Sequence, residues 1–297
     1  MINMPDAVLA MANRGPQWQG WVDGLPRLLQ AQLAEWDILP QGAPTHGSCS
    51  IVVPVATRDG VSAMLKVGFP DQESEHEHLA LRRWSGHGAV RMLRAEPHRR
   101  AMLLEQLLPR NLNELWDIEA CEIVATLYGR IHVPALPQLR SLTDSVERWT
   151  SGLAALPRNA PVPRRLVEQA ISLGEEFAAD VASTGTLIHG DLHYENVLAA
   201  DRDAWLTIDP KPLYGDPHFE IAPMLWNRWD ELSGYVREGV RRRFYALVDV
   251  AGLDADRARA WVIVRMMYNA MWELTETFEP NPAWLTTCVA IAKAVQD

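Results

Sequence analysis

Leu187-Ile188-His189-Gly190-Asp191-Leu192-His193-Tyr194-Glu195-Asn196-Val197-Leu198, followed by Trp205-Leu206-Thr207-Ile208-Asp209-Pro210, is the stretch that decides how this chain is read. Two short apolar strands flank three oxygen-bearing side chains, Asp191, Asn196 and Asp209. A carboxylate accepts the proton of an attacking hydroxyl, and amide and carboxylate oxygens are the hard ligands that magnesium prefers. The plainer reading is an Asp-rich hairpin loop that caps its own turns. It requires three residue types to fall at two fixed spacings by coincidence.

Upstream, the chain reads as strands around one helix. Ile51, Val53 and Val55 alternate, Thr57-Arg58-Asp59-Gly60 carries turn chemistry, and Val61, Ala63, Leu65 and Val67 alternate again, which predicts a hairpin over Cys49 to Val67. Ser62, Met64 and Lys66 fall on the face opposite the apolar set. A helix is expected from Pro70-Asp71 to about Trp84, with Asp71 as N-cap and Glu73, Glu77, Ala80, Leu81 and Trp84 on one face. Strands are expected near Ala89 to Leu93 and from Ala101 to Leu108. From about Asn111 to Pro134 the periodicity is helical, another helix is expected over roughly Arg164 to Val181, and from Pro217 onward the chain reads almost wholly as helix.

Composition narrows the partners. With 297 residues and 48% hydrophobic content, the chain is long enough for two lobes. Its 38 acidic against 28 basic residues give a formal charge of -10, which opposes binding to nucleic acid and suits a cationic small molecule. Cys49, Cys121 and Cys288 are odd in number and scattered, as expected in a reducing compartment. With no basic-led apolar leader and no run of 18 apolar residues, neither secretion nor a membrane span is expected, and the chain reads as cytoplasmic. His76 and His78 lie on different helical faces, and His189 and His193 are separated by a glycine-containing loop, so neither pair builds a zinc site. Gly86-His87-Gly88 has Arg91 where a dinucleotide fingerprint needs its third glycine, and no Gly-x4-Gly-Lys-Ser/Thr motif occurs.

Asp191 with Asn196 five residues on, and Asp209 returning from a strand 13 residues later, repeats the spacing of a kinase catalytic loop, with His-Gly-Asp in place of His-Arg-Asp. Together with Ile208-Asp209-Pro210-Lys211 and Gly215-Asp216, these residues resemble the aminoglycoside phosphotransferase family, in its streptomycin 6-phosphotransferase and hydroxyurea phosphotransferase branch. The resemblance spans roughly residues 45 to 230. It implies an α+β, protein-kinase-like fold of two lobes: residues 1–108 as a nucleotide-binding lobe with a small antiparallel sheet and one helix, and residues 109–297 as a mainly helical lobe for catalysis and acceptor binding. It further implies ATP and Mg2+ as cofactors, Asp191 as catalytic base, and Asn196 and Asp209 as metal ligands.

The same resemblance assigns the nucleotide side. Lys66 is similar to the lysine that contacts the α and β phosphates, and such a lysine needs an acidic partner on the following helix. Glu77 fits better than Glu73, because it lies one turn before Leu81 on the inward face. His46-Gly47-Ser48-Cys49-Ser50 resembles the phosphate-covering loop, with Ser48 and Ser50 as candidate hydroxyls. Leu104 to Pro109 is expected to connect the lobes, with backbone groups of Glu105 and Leu107 reading the adenine edge. Asp216 before Pro217 suits an N-cap.

For the acceptor, family members use C-terminal carboxylates against cationic aminoglycosides. Asp117, Asp230, Glu231 and Glu273, with Trp116, Trp226, Trp229 and Trp272 as stacking faces, are the candidates here. The expected activity is phosphate transfer to a hydroxyl of streptomycin or a related aminoglycoside. The alternatives are hydroxyurea or an endogenous sugar-like metabolite as acceptor, or a catalytically silent nucleotide-binding relative.

Overall fold

The computed structural model describes residues 2–296 and separates into two compact units: residues up to 108 with 200–202, and residues 109–199 with those from 203 onward. The first unit opens with helices α1 (Asp6–Ala10) and α2 (Pro16–Trp36). An antiparallel sheet follows, made of β1 (Ile38–Pro40), β2 (Thr45–His46), β3 (Ser50–Thr57), β4 (Ser62–Gly68), β5 (Met92–Glu96) and β6 (Ala101–Glu105), with α3 (Glu77–Trp84) between β4 and β5. The strand order is β1-β3-β4-β6-β5, and β2 pairs with β3.

The expected hairpin is β3–β4, with Ile51 opposite Val67 and Val53 opposite Leu65. Gly60, at φ 78°, closes its turn by donating to Thr57 O at 3.0 Å. The alternation sends Ile51, Val53, Val55, Ala63, Leu65 and Val67 to one face, where they bury against Val22, Leu25, Leu29 and Trp36 of α2. Each buried valine, leucine or isoleucine among them stabilises the unit by about 1.5–3 kcal/mol.

Helix α2 adds a second long element to a lobe expected to hold one helix. Gly20, Gly24 and Pro26 lower its intrinsic propensity, by about 1 kcal/mol per glycine and about 3 for the proline. Burial of its apolar stripe on the sheet outweighs that cost. Helix α3 starts at Glu77 rather than Asp71, because the Asp71 carboxylate accepts from Ser74 N at 2.7 Å and Ser74 Oγ at 2.8 Å and closes a local turn instead. Strand β5 lies a few residues beyond the expected 89–93: Ala89 O accepts from Arg202 at 2.9 Å instead of joining a ladder, and the register shifts between Met92 and Arg94. Strand β6 ends at Glu105, and residues 106–108 have no regular structure.

The second unit contains α4 (Asp117–Ile131), β7 (Val133–Pro134), β8 (Arg140–Ser141), α5 (Leu142–Ala155), α6 (Arg164–Ala179), β9 (Thr186–Ile188), β10 (Val197–Ala199), β11 (Trp205–Thr207) and β12 (Leu213–Gly215). It ends with α7 (Ala222–Trp226), α8 (Val236–Ala251), α9 (Ala255–Glu276) and α10 (Pro282–Ala294). Helix α4 begins six residues after Asn111, whose side chain accepts from Asn113 N at 2.9 Å and sets a separate 3-10 turn over Leu112–Glu114. Helix α5 falls between the two stretches expected to be helical, about Asn111 to Pro134 and Arg164 to Val181. Ser141 caps it by accepting from Asp144 N at 3.1 Å, and Leu142, Val146 and Leu153 form its buried stripe.

Two small sheets carry the loop of interest. Strands β7-β9-β12-β8 form one and the β10–β11 hairpin the other. Ile188 of β9 and Leu213 of β12 are buried among Leu142, Val146, Phe177, Phe219, Trp261 and Val264. This packing fixes both the strand that enters the His-Gly-Asp loop and the segment that leaves Asp209. Among the described residues no helix is long and apolar enough to cross a membrane.

Candidate active site

In the second unit, residues 189–196 and 208–211 are cross-linked by hydrogen bonds. Lys211 N donates to His189 O at 2.8 Å, and Ile208 N donates to Asn196 O at 2.9 Å. His189 is fully buried, and Ile208 O lies 2.9 Å from its Nε2 while Asp191 N donates to its Nδ1 at 3.3 Å. That pattern selects the neutral tautomer with hydrogen on Nε2, and burial pushes the imidazole pKa down to about 4. His189 is thus an uncharged peg between the two strands.

Asn196 Nδ2 donates to Asp191 O at 2.8 Å and lies 3.1 Å from His193 Nε2. The amide nitrogen is therefore committed to the loop, and Oδ1 is the atom available to a cation. Asp209 sits in the left-handed region at φ 54°, a conformation that Asp tolerates better than most residues, and its Oδ1 lies 3.3 Å from Lys211 Nζ. Burial raises the Asp191 carboxyl above the usual carboxylate range, while the charges of His193, Arg265 and Lys211 pull it back. One carboxylate, one amide oxygen and a second carboxylate thus share one rigid frame. Such hard oxygen donors fit magnesium, which is commonly held by one or two carboxylates together with substrate phosphates.

Gly190 is required by its surroundings. It has φ 82°, and a Cβ there would lie 2.3 Å from Lys211 O. Beneath it, Glu220 is fully buried and accepts from His189 N at 2.9 Å and Gly190 N at 2.6 Å. Burial alone would raise this carboxyl, but the hydrogen bond and coulombic pull of His132, with the hydrogen bond from Gly190 N–H, hold it below the usual range. Tyr128 OH donates to Glu220 O at 2.8 Å. Sequence reasoning passed over Glu220, although a lone acid inside the apolar run Phe219 to Leu225 is itself a signal. Asp216 is also buried. It accepts from His218 N, Arg257 Nε at 2.7 Å and Trp261 Nε1 at 2.6 Å, and so ties the start of the 217–221 turn to α9.

In the first unit, Lys66 and Glu77 are both buried, and Lys66 Nζ donates to Glu77 Oε1 at 2.7 Å and Oε2 at 2.8 Å. Glu73 is exposed in the turn before α3. The 46–50 segment is the tight connection between β2 and β3. Ser50 is buried, with its hydroxyl under Gly47, while Ser48 is exposed and its carbonyl accepts from Arg14 at 2.6 Å. The Glu105 carboxylate is bound by Arg202 and by Arg91 N at 2.7 Å, so its side chain braces the end of β6. Leu107 follows in the irregular segment.

The acceptor candidates divide. Asp117, in the first turn of α4, neutralises the fully buried Arg243 at 3.1 Å. Glu273 is buried and accepts from Asn281 N at 2.7 Å, so its carboxylate supports the turn into α10 rather than a ligand. Glu231 is exposed and forked onto Arg228 at 2.7 Å, and Asp230 is exposed beside it. Trp226 packs edge-on to Trp284, with the Arg265 guanidinium 5.7 Å from its ring centre. Trp116 is exposed and lines a hollow of about 890 Å³ with Tyr235, Arg237, Arg241 and Arg242. That positive lining does not suit a cationic acceptor.

The fold is that of the protein-kinase-like small-molecule kinases. The profile of the aminoglycoside/hydroxyurea antibiotic resistance kinase family matches residues 35–276, and the chain belongs to that family. A streptomycin 6-kinase from Streptomyces glaucescens is 37% identical, covering 98% of this chain and 97% of its own length. A hydroxyurea phosphotransferase from Kitasatospora aureofaciens is 38% identical, covering 88% of this chain and 77% of its own. Among solved structures, a thermostable mutant of aminoglycoside phosphotransferase APH(4)-Ia, in ternary complex with ADP and hygromycin B, aligns with a TM-score of 0.57 at 16% identity. That alignment covers 89% of this chain and 97% of the other.

Proposed function

We propose that this chain transfers the γ-phosphate of ATP to a hydroxyl of streptomycin or a related aminoglycoside, as a cytoplasmic resistance enzyme. The observation that carries this reading is the cross-linked frame of Asp191, Asn196 and Asp209, in a chain 37% identical to a streptomycin 6-kinase. Residues 1–108 form the nucleotide lobe in this reading, and residues 109–297 the catalytic and acceptor lobe.

Asp191 accepts the proton of the attacking hydroxyl, a contribution of about 10²–10⁴ in rate. Its backbone carbonyl is fixed by Asn196, so the carboxylate is oriented before the acceptor arrives. Asn196 Oδ1 and Asp209 hold magnesium, which neutralises charge on the phosphate oxygens. The Lys66 ammonium, held by both Glu77 oxygens, is a preset cation for the α and β phosphates, with the Ser48 to Ser50 segment covering them and the backbone of Glu105 and Leu107 meeting the adenine. Of the acceptor carboxylates, exposed Asp230 and Glu231 fit a cationic ligand better than Asp117 or Glu273, whose carboxylates are engaged within the fold.

The hydroxyurea phosphotransferase relative favours a second acceptor, hydroxyurea. ADP release measured with magnesium, ATP and a panel of streptomycin, other aminoglycosides, hydroxyurea and simple sugars separates the readings. Streptomycin-dependent turnover, with a product one phosphoryl group heavier, is expected. Turnover with hydroxyurea alone would move the assignment, and tight ATP binding without any acceptor-dependent turnover would refute it.

A further inference from the structure

Arg265 lies in the middle of α9, 75 residues from the His-Gly-Asp loop, and its guanidinium NH2 donates to Gly190 O at 3.3 Å. The guanidinium is itself held: its carbon lies 4.3 Å from the Phe219 ring centre and 5.7 Å from that of Trp226. Both distances fall within the range of cation–π attraction. Residue 190 is therefore gripped on both sides, its N–H by the Glu220 carboxylate and its carbonyl by Arg265. The carbonyl of 190 belongs to the peptide that enters Asp191, so fixing it fixes the plane from which the Asp191 side chain springs.

No side chain at position 190 can do this work. Gly190 has φ 82°, and any Cβ would meet Lys211 O at 2.3 Å, so the cation that steadies the loop has to arrive from another element. Arginine suits the task better than lysine, because a planar guanidinium stacks on aromatic rings while donating along its edge.

We propose that Arg265 is a positioning residue of the phosphotransfer site, which locks the Gly190–Asp191 peptide so that the Asp191 carboxylate is presented to the acceptor hydroxyl. The proposal rests on the reading of Asp191 as catalytic base.

The test uses the full chain and the Arg265→Lys, Arg265→Met and Arg265→Ala variants, assayed with ATP, magnesium and streptomycin. We expect kcat to fall by about tenfold to a hundredfold in Arg265→Met and by less in Arg265→Lys, with both KM values within about twofold of wild type. Millimolar guanidinium ion should restore part of the activity of Arg265→Ala but none of Arg265→Met. Amide hydrogen exchange of residues 190–192 should be at least tenfold faster in Arg265→Met, a readout that needs no acceptor. Wild-type kcat in Arg265→Met, or unchanged exchange at 190–192, would overturn the proposal. Asp191→Asn separates the two ideas. If it is inactive while Arg265→Met is normal, only the positioning role fails; if Asp191→Asn is fully active, the base assignment fails, and the exchange data alone judge whether Arg265 orders the loop.

Discussion

Replacing Glu220 by Gln removes the charge that receives the backbone N–H groups of His189 and Gly190 without changing the volume of the side chain. Glutamine keeps one acceptor oxygen, and its amide NH2 must face either His189 N or Gly190 N, which were 2.9 and 2.6 Å from carboxylate oxygens. A hydrogen bond to a charged group contributes about 1.5–3 kcal/mol, and a buried N–H left unpaired costs about 1–3 kcal/mol. Relief of the buried carboxylate's desolvation offsets part of that loss. The net expected destabilisation is about 2 kcal/mol for Glu220→Gln, and about 4 kcal/mol for Glu220→Ala, which orphans both donors and leaves a cavity. Urea unfolding should show a lower midpoint with an unchanged slope. Activity measured well below the unfolding transition should fall at least tenfold through kcat, because the loop bearing Asp191 loses its anchor. Wild-type stability together with wild-type kcat in Glu220→Gln would refute the claim that this carboxylate holds the loop.

Other expectations follow from the same geometry. His189 has a pKa of about 4 when folded against 6.5 when unfolded, so the unfolded chain binds more protons between those values, and stability should fall as pH drops from about 6.5 to about 4. The full effect is on the order of 3 kcal/mol, and a urea-midpoint profile flattened in His189→Gln would identify the group. Lys66→Met should reduce kcat/KM for ATP by at least a hundredfold, and it removes the ammonium that both oxygens of buried Glu77 receive, at a cost of about 3–5 kcal/mol. Lys66→Met/Glu77→Leu should then recover stability but not activity, as thermal melts and ATP titrations would reveal. Gly190→Ala forces a Cβ against Lys211 O in a left-handed backbone, so we expect a loss of about 2 kcal/mol or more and near-complete inactivity, measured by melting and ADP release.

Short-range features of this chain were legible before its structure. The β3–β4 hairpin shows as period-two alternation around Thr57-Arg58-Asp59-Gly60, and the loop from Leu187 to Asp209 carries its spacing within 23 residues. The pairing of Lys66 with Glu77 needed only the phase of one strand and one helix. Helix α2 was masked by Gly20, Gly24 and Pro26, whose local cost is outweighed by burial against a sheet that lies later in the chain. Helix α5 had a visible signal in Ser141 and Asp144, lost between proline-rich flanks.

What stayed hidden in the site is what arrives from far along the chain. Glu220 reaches Gly190 across 30 residues and Arg265 across 75, and no local pattern links either to the loop. Glu273 and Asp117 show the opposite case. A carboxylate beside a tryptophan looks like a ligand for a cation, yet one carboxylate serves the N–H of Asn281 and the other neutralises buried Arg243.

The central claim is that Asp191 accepts the acceptor's proton within a loop built to hold it. Its most direct test is single-turnover phosphoryl transfer to streptomycin by Asp191→Asn, with nucleotide affinity measured in parallel. The claim predicts ATP binding close to wild type and transfer reduced by at least a hundredfold. Transfer at the wild-type rate with intact ATP binding would contradict it.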